Sequence, residues 1–320
     1  MALRAPGSSA LSTKRKEPDK VEFLSGVVND KTTGSPVCAV IYNGDTHSSD
    51  YSDLINRPRP SHADYPATVR FGESYDIRGG GQFSGRLTAP ICIAGAISLS
   101  LLEKKGIRVG THVLSVGSIS DTPFSPTDDE NDLMNTLSEE HFPVISASAK
   151  DEMTALIHKT AEKLDSVGGV IECKITGLPA GIGEPMFYGV ENALSKMMFG
   201  IPAVKGIEFG NGFAGSSLYG SEYNDTYYYD QNGNIRTRTN NAGGICGGMT
   251  TGMPVIFRVA IKPTPSISLP QDTVDLESKQ NTVIQIKGRH DPCIAVRASI
   301  AVRAAAAFAI YDLIQSFENN

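Results

Sequence analysis

Apolar and polar positions along the 320-residue chain alternate between helical and extended periods. Residues 87–105 carry apolar side chains at helical spacing and end on Lys104, Lys105 and Gly106, a C-terminal signature that predicts a helix. Residues 151–164 repeat the pattern, with acidic residues early, Lys163 late and Gly168-Gly169 beyond. Two further helices are predicted at 188–199 and, rich in alanine, at 292–317. β-Branched runs predict strands at 111–116, 170–176, 203–209, 254–262 and 282–287, and a strand pair at 21–28 and 37–42 across the turn-rich residues 29–36. Helices and strands mix without strict alternation, so the expected fold class is α+β, with room for two similar halves. Two stretches lack a period. Residues 1–19 read as a loop or loose terminus, and residues 43–81 are full of Asp, Ser, Pro, Arg and Gly. Irregular stretches this long inside a compact domain usually serve function.

Composition narrows the picture. With 40% hydrophobic and 20% charged residues and 32 glycines, the chain is charge-poor and glycine-rich, and disorder, collagen and coiled coil are excluded. A net charge of −6 is the opposite of a nucleic-acid footprint, so no nucleic-acid partner is expected. Arginines that hold an anion must be gathered locally. Cys38, Cys92, Cys173, Cys246 and Cys293 show no paired spacing, which argues against a disulfide framework or a metal site and for thiols in a reducing cytoplasm. The N-terminus has no apolar core of a signal peptide. The most apolar stretches are too short (90–102) or interrupted by Arg297 and Arg303 (294–314), so no membrane span is expected.

Five motifs bear on chemistry. Residues 210–215 fit GxGxxG after a predicted strand, but the dinucleotide fingerprint needs a helix next, and the following residues carry three tyrosines and an Asn232-Gly233 hairpin signal. Residues 57–65 place Arg57, Arg59 and His62 in a proline-stiffened loop, able to bind a phosphate and protonate it as it leaves, or to be merely a solvated loop. Residues 78–86 form a glycine-rich turn between Arg78 and Arg86, running into a helix whose N-terminus favours an anion; an empty connector is the alternative. Residues 287–293 hold Arg289, His290 and Asp291 ahead of the last helix, with Asp291 the expected N-cap and Pro292 the first helical residue. Residues 240–248 are glycine-heavy and precede, across a strand, Lys262, Pro263, Thr264, Pro265 and Ser266. Together these loops argue for a pocket that binds phosphorylated ligands.

In this order, RPSHADY, RGGGQFSGR, GIPAVKGIEFGNGF, NNAGGICGG, KPTPS and GRHDPC resemble the chorismate synthase family, from about Arg4 to the C-terminus. The resemblance implies a single layered α+β domain over residues 1–320, with helices packed on antiparallel sheets, and a cytoplasmic, FMN-dependent lyase, a homotetramer. It implies a 1,4-anti elimination of phosphate from 5-enolpyruvylshikimate 3-phosphate that needs reduced FMN without net redox change. Residue by residue, it makes His62 the acid for the leaving phosphate and Asp291 the aid to proton removal. Arg59 and Arg86 fall on substrate-binding positions. Gln82, Phe83, Ser84, Ala203, Gly247, Lys262, Pro263, Thr264, Pro265, Ser266 and Arg289 fall on FMN positions, and Arg4 on one assigned to NADPH in members that reduce their own flavin.

The sequence also departs from the family. Its opening GESHG motif, with a second histidine, does not precede Met1, and Tyr75 stands where that histidine would be in the unrelated residues 71–80. The chain therefore reads as a family member without its first few tens of residues. Ala10 stands at a second expected NADPH arginine, and Gln82-Phe83 replaces the more usual Arg-Ser. Two rivals stay open: a flavin- or phosphate-binding relative without catalysis, and a nicotinamide oxidoreductase using residues 210–215.

Overall fold

Five strands form one antiparallel sheet in the order Ile119–Ser120, Arg108–Val116, Gly169–Thr176, Val255–Ile261, Val204–Phe209. The computed structural model describes residues 1–7, 19–42, 44, 54–286 and 291–318, with the side chains of Arg78 and Gly79 outside that description. Strand side chains alternate between the two faces of a sheet. Val109, Val113, Ile171, Cys173, Ile175, Phe257 and Val259 thereby share one buried face. Helices Thr88–Lys104, Val190–Phe199 and Ala295–Glu318 close this core.

The C-terminal helix can lie deep because its buried positions are small: Ala304, Ala305, Ala306 and Ala307 are all in the core. Gly95 completes the close crossing with helix Thr88–Lys104, since a Cβ there would sit 2.5 Å from the Ala304 backbone. By length and composition alone both helices could cross a bilayer, yet they pack on each other and on the sheet.

The opposite face is polar, with His112 and Glu172 fully buried and Arg258 and Glu208 half-buried. Register places His112, Glu172, Arg258 and Glu208 side by side on four strands, one rung of alternating charge. His112 is held by Asp121 at 3.1 Å and by Glu172 at 3.0 Å, and Arg258 Nε donates to Glu172 at 2.9 Å. Phe124 N–H also donates to Glu172, so this fully buried carboxylate is satisfied. Lys174 reaches Glu130 and the carbonyl of Ser125 beneath helix Asn131–Ser138.

The α+β expectation holds, and all five predicted central and C-terminal strand regions form strands. Strand Val21–Ser25 pairs with Cys38–Ile41, with a small hairpin between them. Helix Ala147–Glu162 starts before the predicted residue 151 because Ser146 Oγ caps the Ala149 N–H. The last helix begins at Ala295, so Asp291 is not its N-cap; its carboxylate instead pairs with Arg297 at 2.7 Å. Several elements escaped the periodicity. Helix Asp64–Phe71 buries only Asp64 and Ala67, helix Asn131–Ser138 buries only Met134 and Leu137, and strand Gln271–Asp275, paired with Gln280–Ile284, is mostly polar.

Candidate active site

The site grows from the loop at residues 56–64, which hydrogen bonds fasten to the segment at 262–276. Leu276 N–H donates to the Asn56 carbonyl, Arg57 pairs with Asp275, and Thr273 Oγ1 donates to the Pro58 carbonyl. Arg59 Nη1 donates to Ser266 Oγ at 3.2 Å, and Lys262 Nζ to the Ser61 carbonyl at 2.6 Å. Ser61 needs this support: its φ of 56° lies in the left-handed region that disfavours side chains. The loops of Arg59–His62 and of Lys262–Ser266 are thus one structure.

Asp64, at the start of its helix, is the hub. Its Oδ2 accepts from Arg59 N and Nε at 3.1 and 2.7 Å. Its Oδ1 lies 2.9 Å from Arg59 Nη2, 2.6 Å from His62 Nδ1 and 3.4 Å from the Tyr75 hydroxyl. Burial alone would raise the Asp64 pKa, but the hydrogen bonds from Arg59 and His62 outweigh it and hold the carboxyl well below the usual range. Burial, with Asp64 next, pushes Tyr75 up to about 12, so its hydroxyl stays a donor. Tyr75 also packs edge-on against Phe83, which ties the hub to the glycine-rich segment.

His62 opens onto a cavity of about 560 Å³, within the range of small-molecule sites. Its walls come from six separate stretches of chain and include Gln82, Phe83, Ser84, Arg86, Ala203, Lys262, Thr264, Pro265, Ser266 and Asp291. Arg4, Arg86, Lys262 and Arg297 all line it, which is the local gathering of cations that a −6 chain requires to hold an anion. The N-terminal ends of helices Thr88–Lys104 and Ala295–Glu318 border the same space and add positive dipole ends. Burial, and then Lys205, lowers the pKa of Lys262 from its ordinary value.

Several expected site residues stand elsewhere. Arg59 does not line the cavity: it is 8% exposed, and Asp64, Ser266 and His62 engage its guanidinium, making it a strut behind His62. Arg4 is at the wall, but its nitrogens are engaged by Asp19, Thr88 Oγ1 and the carbonyls of Gly85 and Arg86. Gly247 sits in the exposed turn of the hairpin Ile245–Cys246/Met249–Thr250, and Pro263 is exposed; neither lines the cavity. Arg289 and His290 lie outside the described residues. Sequence reasoning gave no role to Asp64, Thr88 or Arg297. Asp64 stands within the RPSHADY motif, whereas Arg297 interrupts an apolar run.

Residues 210–215 are no dinucleotide cradle. A Cβ on Gly210 would lie 2.1 Å from the Asn241 carbonyl, and one on Gly212 would meet the Glu208 carboxylate at 2.3 Å. Those glycines allow close packing against the loop at 240–243, beside a carboxylate that would repel a phosphate. The helix that follows is a single turn, Gly212–Gly215.

The residues present do suit a polar cofactor in the cavity. Thr264 Oγ1 is buried without a hydrogen-bond partner among the described residues, an uncommon state that a bound polar group would relieve. Phe83, Phe199 and Ile201 supply apolar wall beside it.

Layered sheet and helices around a cationic cavity with a His–Asp–Arg hub define an anion-binding α+β enzyme. Comparison with known proteins specifies the class: the chorismate synthase family model matches residues 1–315, and the chain belongs to that family. A chorismate synthase of Korarchaeum cryptofilum is 45% identical over 98% of this chain and 85% of its own length. One from Dehalococcoides mccartyi is 44% identical over 97% and 84%. A crystal structure of a chorismate synthase superposes with a TM-score of 0.71 at 24% identity, over 94% of this chain and 78% of that one, and shares the fold.

Proposed function

We propose that this chain eliminates phosphate from 5-enolpyruvylshikimate 3-phosphate in a 1,4-anti sense to give chorismate. The observation that carries the reading is His62, held by a buried carboxylate at the wall of a cavity lined by Arg86, Lys262 and Arg297. As the carbon–oxygen bond breaks, its electron pair leaves with the phosphate, and His62 passes a proton to the departing oxygen. Arg86 and Lys262 are the fixed donors that would offset the growing negative charge. Asp291, oriented by Arg297, would take the proton lost from the substrate carbon.

FMN in its reduced form would supply transient electron density to the substrate. Gln82, Phe83, Ser84, Ala203, Lys262, Thr264, Pro265 and Ser266 are the residues that would hold it. For NADPH the support is thinner, because Arg4 is committed to internal partners. A homotetramer is consistent with large apolar side chains left exposed at Met186, Phe187, Tyr188, Phe213 and Tyr219. A cytoplasmic site fits five cysteines that are all free thiols.

The test is anaerobic chorismate formation with chemically reduced FMN. Turnover is expected, and His62→Ala should lower it by about 10²–10⁴-fold while FMN affinity stays within a few-fold. Flavin binding without turnover would leave the non-catalytic reading in place. Equal loss of flavin affinity and turnover would make His62 structural.

A further inference from the structure

We propose that Asp64 is a positioning residue that fixes the tautomer of His62 and so selects the ring nitrogen that meets the departing phosphate. The proposal rests on the elimination reading above for its chemistry but on this chain's own geometry for the assignment.

The argument is one of donors and acceptors. Every group around Asp64 is a donor or can become one: Arg59 N, Nε and Nη2, the Tyr75 hydroxyl and His62 Nδ1. Arginine has no acceptor, so the carboxylate must receive the guanidinium's hydrogens. His62 Nδ1 has two neighbours, Asp64 Oδ1 at 2.6 Å and Arg59 Nη2 at 3.0 Å. With the proton on Nε2, the bare Nδ1 could accept from Arg59 Nη2 at 3.0 Å, but its lone pair would also face an anionic oxygen at 2.6 Å, the shorter contact and a repulsive one. With the proton on Nδ1, it donates to Asp64 while Arg59 Nη2 donates to the same oxygen at 2.9 Å, and the one cost is the longer 3.0 Å contact between the two donors, both of which the carboxylate oxygen satisfies.

Nε2 is then the ring atom without a protein partner among the described residues, on a side chain that lines the cavity. The ring keeps its Nδ1 hydrogen bonded to the carboxylate behind it and gives up its Nε2 proton. After transfer the neutral ring already carries its hydrogen on Nδ1, so no rearrangement is needed. Asp64 and Arg59 hold this arrangement from behind, tied to Ser266 and Lys262 at the wall, and Asp64 does not itself line the cavity.

Asp64→Asn is the informative variant. Whichever way the amide turns, its NH₂ faces either the Arg59 donors or His62 Nδ1, so Arg59 is displaced or the tautomer is reversed.

¹⁵N spectra of the ligand-free chain, with the His62 signals assigned by their loss in His62→Gln, read the tautomer directly. The neutral ring should show a protonated Nδ1 and an unprotonated Nε2, and the reverse pattern in the unaltered chain would overturn the proposal whether or not any variant folds. In the elimination assay Asp64→Asn should lower kcat about 100-fold or more with KM within a few-fold. The double variant Asp64→Asn/His62→Ala should be no slower than His62→Ala alone, since the carboxylate acts through the ring; multiplying losses would overturn the positioning role. An unaltered chain that shows the Nδ1 proton but forms no chorismate would refute the elimination reading and leave the tautomer assignment standing.

Discussion

Thr264 shows how a side chain can weaken the fold and serve the site. Its buried hydroxyl lacks a partner among the described residues, and an unmade hydrogen bond of this kind costs about 1–3 kcal/mol. Thr264→Val keeps the shape without the polar atom, so it should raise ligand-free stability by up to about 1 kcal/mol in denaturant unfolding. The same change should weaken FMN binding roughly tenfold in a fluorescence titration, the equivalent of one lost hydrogen bond. Tighter binding by the variant would show that the hydroxyl faces no ligand. At this scale the motifs were legible and their internal wiring was not. His62 and Asp64 stand two apart in sequence, but only the backbone turn at Ser61 brings both onto Arg59. Arg59 and Arg86 look alike in sequence, yet one is a buried strut and the other a wall of the cavity.

Between elements, the tightest constraint is the crossing of helices Thr88–Lys104 and Ala295–Glu318. Alanine is ordinarily about 1 kcal/mol better than glycine in a helix. At Gly95 the added methyl would meet Ala304 Cα and carbonyl oxygen at 2.5 Å, backbone atoms that cannot rotate away. Gly95→Ala should therefore destabilise the chain by about 2 kcal/mol in spite of propensity, and a variant as stable as the parent in urea would show that the helices separate easily. The helices and strands of the core were legible because they bury long, regular apolar faces. Helices Asp64–Phe71 and Asn131–Ser138 were not, because each has eight residues and buries only two. The start of the last helix was misplaced for another reason: Asp291 and Pro292 look like a cap and a first turn, but the Arg297 ion pair draws the carboxylate aside.

Across the whole molecule, stability should follow pH through the buried charge rung. Burial alone would lower the His112 pKa, but Asp121 and Glu172 outweigh it and raise it above the ordinary 6.5. Its stabilising contribution is therefore complete below about 6.5 and is lost as pH climbs through the raised value. Burial would raise Glu172 and Asp121, but His112 and backbone N–H donors hold them below their ordinary 4.5 and 3.8, so their contribution is lost only as pH falls beneath those values. The stability gap between the parent chain and His112→Gln should be widest near pH 5–6 and shrink as pH rises above the ordinary 6.5 through the raised value, as measured by unfolding midpoints. A gap independent of pH would mean that His112 is neutral in the fold.

The fastening of the loop at 56–64 to the segment at 262–276 has a consequence for how the protein is made. Its bonds join residues 201 to 220 positions apart, so the pocket has no precursor in a nascent or half-folded chain. Ligands can then find only the finished molecule, and a phosphorylated ligand at a hundred times its Kd should add about 2.7 kcal/mol to apparent stability. For the same reason, amide hydrogens in the two stretches should exchange together, at one common opening energy. Occupancy of the site thus becomes a gauge of how much of the population has completed folding.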